Sequence, residues 1–118
     1  MNYTLAEKTM LFTRRMINSF IFTKKINGKL ERPIVSFTFD DVPKCTFDYA
    51  VPILNKFGCK GTFYVSGMLC QKENSQYLGR SEILNLYKDG HEIGCHTFSH
   101  IKAGFVSPEV FANDIEKN

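Results

Sequence analysis

The chain holds no tryptophan, three histidines, four prolines and four cysteines in 118 residues. So few prolines, with eight glycines and no repeating glycine period, exclude collagen-like and proline-rich sequence. Long apolar runs are also missing. Near the start the longest uncharged apolar stretch runs from Met16 to Thr23, far below the roughly 20 residues of a membrane helix, so no transmembrane span is expected. Glu7, Lys8, Arg14 and Arg15 interrupt any signal-peptide core, and no small-x-small cleavage site follows. A cytoplasmic location is therefore expected, with Cys45, Cys59, Cys70 and Cys95 reduced. What is present argues for a packed domain: 43% of residues are apolar, and eleven Phe and five Tyr supply bulk for a core.

The net charge of +3 is unevenly spread. Residues 1–32 hold seven Lys or Arg against two Glu, and residues 33–118 hold eight against ten acids, giving +5 and −2. Two regions follow: a basic N-terminal helix and linker over 1–32, and a domain over 33–118. The basic segment lacks interleaved aromatic and basic nucleic-acid signatures, so no nucleic-acid partner is expected. Leu5 to Phe22 reads as an amphipathic helix. At 100° per residue Leu5, Met10, Phe12, Met16, Ile17, Phe20 and Ile21 share about half the wheel, opposite Glu7, Lys8, Arg14 and Arg15.

Asn27-Gly28 then reads as a turn, and Pro33 to Phe39 as a strand ending in two aspartates. Thr46 or Asp48 caps a helix to Phe57, with Pro52 tolerable only in its first turn and Gly58 as its stop. Gly61 to Val65 is a second strand. Ser81 caps a helix over Glu82 to Lys88, and Asp89-Gly90 turns into a third strand, His91 to Cys95. Ser107 and Pro108 open a last helix. Alternating strands and helices imply a parallel sheet with crossover helices.

Asp40-Asp41 follows the first strand and His96-Thr97-Phe98-Ser99-His100 the third, at the carboxyl ends where parallel α/β folds collect functional groups. Alone, the aspartates read as a turn cap. Alone, two histidines four apart are a weak metal motif, although one helical turn would align them. Together they supply a carboxylate and two imidazoles, and three protein ligands are the count of a catalytic zinc site. One aspartate can then bind metal while its neighbour takes a proton as general base. An imidazole binds metal only when neutral, so affinity is expected to fall below about pH 6. His91, several residues before the pair, reads as structural, with its ring bonded to backbone. Strand alternation points Cys95 into the core, and Cys45 is placed to line the pocket.

Thr38-Phe39-Asp40-Asp41, Gly61-Thr62-Phe63-Tyr64-Val65 and Gly90-His91-Glu92-Ile93-Gly94-Cys95-His96-Thr97-Phe98-Ser99-His100 resemble, in order and spacing, the first half of the polysaccharide deacetylase family, the chitooligosaccharide deacetylase homology domain. The likeness covers residues 34 to about 117. It implies a distorted (β/α) barrel that hydrolyses N-acetyl groups of amino sugars with a divalent metal, commonly Zn²⁺. By position, Asp40 resembles the general base, Asp41 the metal carboxylate, and His96 and His100 the metal imidazoles. Thr97 and Ser99 either support these ligands or cap the loop.

Two features depart from the pattern. Val42 stands where the family usually has glycine, restricting the loop before Pro43. The later family segments, an arginine-proline, an aspartate-tryptophan and a leucine-x-histidine carrying the general acid, are absent: the last arginine is Arg80 and the last histidine His100. The fold expected is an incomplete barrel of about three parallel strands with crossover helices, and the chain reads as truncated. Unpaired sheet edges offer a route to self-association. A catalytically inactive metal-binding module and an amide- or imide-ring hydrolase of the same superfamily are the other readings.

Overall fold

The computed structural model describes residues 4–21, 28, 31–71 and 76–118. It divides into two compact units, Met1–Ile34 and Val35–Asn118. The first contains helix α1, Leu5–Ile21. Within it the Thr9 and Thr13 hydroxyls donate to the carbonyls of Leu5 and Thr9, each one turn back. Phe22, expected as the last residue of this helix, and Asn27 of the expected turn lie outside the described residues. Among the described residues no helix is long and apolar enough to cross a membrane.

The second unit is built on strands β1 (Thr38–Asp40), β2 (Thr62–Val65) and β3 (Glu92–Cys95), all parallel and in the order β1-β2-β3. Helices α2 (Val51–Lys56), α3 (Gly67–Cys70), α4 (Arg80–Lys88) and α5 (Pro108–Lys117) follow the strands. Phe39, Phe63 and Ile93 are aligned in register, so their side chains share one face of the sheet. That face packs on Val51 and Leu54 of α2 and on Ile83 and Leu86 of α4. The Phe39 and Phe63 rings stack at 4.9 Å. Burying a side chain such as Phe63 or Leu86 contributes about 1.5–3 kcal/mol, so this layer holds the unit together.

The opposite face carries Thr38, Thr62 and Glu92 in one row and Asp40, Tyr64 and Gly94 in the next. Thr62 Oγ1 donates to Glu92 Oε2 at 2.5 Å. A Cβ on Gly94 would lie 2.6 Å from the Tyr64 ring, so glycine is what lets Tyr64 lie across β3. An open parallel sheet with its apolar face covered by helices and its other face polar matches the expected incomplete barrel.

Both helix-to-strand returns obey the same local rule. After α2, Gly58 takes φ +63°, its N–H donates to Asn55 and that of Cys59 to Leu54. After α4, Gly90 takes φ +84°, its N–H donates to Tyr87 and that of His91 to Leu86. Each is a left-handed stop that satisfies orphan carbonyls, and each delivers the chain to the amino end of the next strand. Ser107 caps α5 as expected, its Oγ accepting from Val110 N–H.

Several boundaries differ from the sequence reading. Only Thr38 and Phe39 of the Pro33–Phe39 run join the sheet, with the strand continuing to Asp40, because β2 offers no partner beyond Thr62 except the Thr62 N–H bond to the Phe37 carbonyl. The helix before Gly58 opens with a π-helical turn at Thr46–Ala50, in which Val51 N–H reaches Thr46. Pro52 explains this widening: it has no N–H to give to the preceding turn and its ring crowds that carbonyl. The α4 helix starts at Arg80, two residues early, because Glu82 Oε2 accepts the Gly79 N–H at 2.7 Å. Helix α3, between the second strand and α4, is a single turn.

Candidate metal centre

Three donors meet at the carboxyl end of the sheet. Asp41 follows β1, and His96 and His100 follow β3, yet their ligand atoms all lie within 4.8 Å of one another. Asp41 Oδ1 is 3.1 Å from His100 Nε2 and 3.5 Å from His96 Nε2. The two imidazoles are 5.1 Å apart between ring centres, and the Tyr64 ring lies 6.3 Å from His96.

The backbone that achieves this is unfavourable locally. Among the described residues, the non-glycine residues with left-handed φ are Asp41, Val42, Thr97 and His100, all on the two loops that carry the donors. Such conformations cost about 1 kcal/mol or more each and persist only where the surroundings over-determine them. After β1, Val42 N–H folds back on the Asp40 carbonyl at 2.7 Å, while Leu78 and Gln76 hold Val42 and Lys44 from the facing segment. Val42 is completely buried, so its apolar contacts oppose the strain of φ +46°. This is the position at which the family resemblance leads one to expect glycine, and the structure gives the reason: the turn is left-handed.

After β3, the His96–His100 segment is a turned loop and not the helical turn that aligned the histidines in the sequence reading. Left-handed Thr97 and His100 close it, and Thr97 Oγ1 accepts the Ile101 N–H at 3.0 Å. Ser66 Oγ and Met68 N–H both donate to the Phe98 carbonyl at 2.9 Å. Asp114 of α5, which sequence reasoning missed, takes the Phe98 N–H on its carbonyl at 3.1 Å and the Ser99 N–H on Oδ2 at 2.9 Å. No local pattern marks an aspartate on a helix for such a task. Thr97 thus acts as a loop cap, while Ser99 is held through its backbone.

Asp41 Oδ1 is shut off from solvent and accepts no hydrogen bond, while two imidazole nitrogens face it. A carboxylate oxygen opposed by two imidazole lone pairs is stable only with a cation between them or protons on the rings, and the mixed O/N₂ set suits a divalent transition metal. Asp40, at the exposed end of β1, is not one of the three clustered donors.

The remaining candidates fall away from the cluster. His91 sits at the amino end of β3, 3% exposed, with its Nδ1 accepting the Gly61 N–H at 3.1 Å, as a structural histidine should. Burial, reinforced by Lys60 and opposed by Asp89, pushes its pKa below the ordinary imidazole value. Cys95 corrects the expectation of a core thiol. It shares the helix-facing side with Ile93 but lies beyond the helices' cover, so it is exposed on an open cavity of ≈ 550 Å³ that Cys70, Arg80 and Asn118 also line. Burial first, then the Asp41 and Glu82 carboxylates, push the Cys70 thiol up and make it a poor ligand. Cys45 is exposed and outside the donor cluster.

A family model described as polysaccharide deacetylase matches residues 27–118. The peptidoglycan-N-acetylglucosamine deacetylase of Bacillus cereus is 36% identical over 83 residues, covering 70% of this chain and 36% of that protein. A chitin deacetylase of Arthroderma benhamiae is 32% identical over 100 residues, covering 81% of this chain and 25% of that protein. The Streptococcus pyogenes deacetylase PplD, solved in complex with acetate, superposes with a TM-score of 0.67 at 26% identity, over 77% of this chain and 41% of that one. The peptidoglycan deacetylase PdaC of Bacillus subtilis gives 0.59 at 25% identity, over 73% and 40%. The chain therefore spans about a quarter to two fifths of the length of these relatives. With the family model matching most of the chain, and the parallel strands and clustered donors in place, this chain belongs to the polysaccharide deacetylase family.

Proposed function

We propose that the chain carries the metal-binding and general-base groups of a hydrolase that removes N-acetyl groups from an amino-sugar oligomer or polysaccharide. The observation that carries this reading is the meeting of Asp41, His96 and His100 within 4.8 Å at the carboxyl end of the sheet. These three would hold a divalent cation, with Zn²⁺ the best match to one carboxylate and two imidazoles. When bound, that cation supplies Lewis acidity, polarising the acetamide carbonyl and acidifying water. Asp40, beside the donors in sequence but not among them, takes the proton of the attacking water. The names of the relatives, for peptidoglycan N-acetylglucosamine and chitin, support an N-acetylated sugar as the partner.

Titration of the chain with Zn²⁺ and measurement of acetate release from acetylated chitooligosaccharides test the reading. Zn²⁺-dependent acetate release is expected, falling about 10²- to 10⁴-fold in Asp40→Asn. Unchanged turnover in Asp40→Asn removes Asp40 as the base, and undiminished Zn²⁺ binding in His96→Ala removes the ligand set. A module that binds metal without turnover is the second reading, and Zn²⁺ binding with no acetate release is its signature.

A further inference from the structure

Between the two histidine donors lie only Thr97, Phe98 and Ser99. The N–H groups of the last two both end on one residue, Asp114 of α5, at 3.1 Å and 2.9 Å. The same helix continues the grip. Lys117 Nζ stands 4.1 Å above the Phe98 ring, whose other neighbours include Gly67, where a Cβ would come within 2.7 Å of the ring. Asn118 then ties the strand ends, its Oδ1 accepting from Gly67 N–H at 2.7 Å and its Nδ2 donating to the Val65 carbonyl at 3.0 Å.

A loop with two left-handed non-glycine residues, one of them a donor, does not keep this shape by its own preferences. Something outside it must select the shape. We propose that Asp114 is a positioning residue: by holding Phe98 and Ser99 it fixes the separation of His96 and His100 and so sets the affinity of the centre for metal. This rests on the metal-binding reading of Asp41, His96 and His100. The Ser99 N–H, the largest influence, also holds the Asp114 carboxyl below the usual carboxylate range, so the anchor is ionised at neutral pH and its bond to Ser99 is charge-assisted.

The test uses the full chain with Asp114→Ala, Asp114→Asn and, as a stability control, Leu86→Ala in the core away from the loop. Zn²⁺ affinity is measured by calorimetry at a temperature where every variant is folded, and amide exchange of residues 97–100 is followed without metal. Asp114→Ala removes the carboxylate acceptor of Ser99 and keeps the main-chain carbonyl that accepts from Phe98; it is expected to weaken Zn²⁺ binding about 10- to 100-fold, the range for groups that orient metal ligands, and to speed exchange of Ser99. Asp114→Asn, whose amide oxygen still accepts the Ser99 N–H, should recover most of the affinity and protection. Leu86→Ala should lower the melting temperature with affinity within about twofold of the unsubstituted chain.

Affinity in Asp114→Ala within twofold of the original overturns the proposal, as does an equal loss in Leu86→Ala, which would assign the effect to general stability. Should Asp114→Ala not fold, Asp114→Leu, of similar size and without an acceptor for the Ser99 N–H, stands in, with an about tenfold or greater weakening supporting the proposal and affinity within about twofold of the original overturning it. Failure of the unsubstituted chain to bind Zn²⁺ would instead overturn the metal-binding reading, and the exchange measurement still decides whether Asp114 holds the loop.

Discussion

The two ends of β3 carry the three histidines of the chain and treat them in opposite ways. At the amino end His91 is enclosed, its Nδ1 accepts a backbone N–H, its edge meets the Phe63 ring at 5.2 Å, and burial disfavours its charged form. At the carboxyl end His96 and His100 are partly open and aimed at a carboxylate. The neighbouring backbone differs too. The amino end is entered through a glycine stop with satisfied carbonyls, whereas the carboxyl end holds non-glycine residues in left-handed conformations. One end of the strand is built for stability and the other spends some of it on geometry, the division expected of parallel barrels.

The contrast breaks most visibly if a donor is removed. His100→Ala should weaken Zn²⁺ binding by more than about 100-fold, beyond the range for groups that merely orient ligands, while metal-free stability changes by less than about 1 kcal/mol. Calorimetry and urea unfolding in chelator measure the two effects separately. His91→Ala should do the reverse. Losing a buried ring and leaving the Gly61 N–H unpaired should cost about 2–3 kcal/mol of stability, with Zn²⁺ affinity within about twofold of the original. An affinity loss there would mean that the two ends are not independent.

A smaller effect sharpens the account of the strained end. Val42→Ala should lose about 2 kcal/mol through lost burial. Val42→Gly loses the same contacts but relieves the left-handed turn by about 1 kcal/mol, so it should be no less stable than Val42→Ala. At an ordinary position glycine would be the worse of the two by about 0.5–1 kcal/mol. Urea midpoints that rank alanine clearly above glycine would remove strain from the account.

The smallest effect is in pH. His91 has its pKa lowered in the folded state, so below about pH 6.5 the unfolded chain takes up a proton that the folded chain resists. More protons bound to the unfolded state means that stability falls as pH drops and is level above that range. Unfolding in chelator from pH 7.5 to 5.5 should show this decline, and His91→Gln should flatten it. An identical slope in His91→Gln would assign the decline elsewhere.

Much of the fold was legible because its signals are local. Gly58 and Gly90 stop helices wherever they follow a helical stretch, Ser107 caps the first turn it precedes, and β-branched and aromatic runs mark the strands. The misplacements had partners elsewhere: β1 is as long as β2 allows, and Glu82 draws the start of α4 back to Gly79. Cys95 followed strand alternation, but no sequence pattern states how far the helices extend over the strand ends.

Residue identity and order alone determined the donor types, the parallel alternation that sends Asp41 and the histidine pair to one rim, and the structural character of His91. Only the tertiary structure decided that the histidines meet across a turned loop, that Val42 stands left-handed, and that Asp114 holds the loop between the two rings. The reason is energetic. A left-handed valine or histidine is unfavourable to its own neighbours, so it is held in place only by contacts that distant segments supply after the chain has folded.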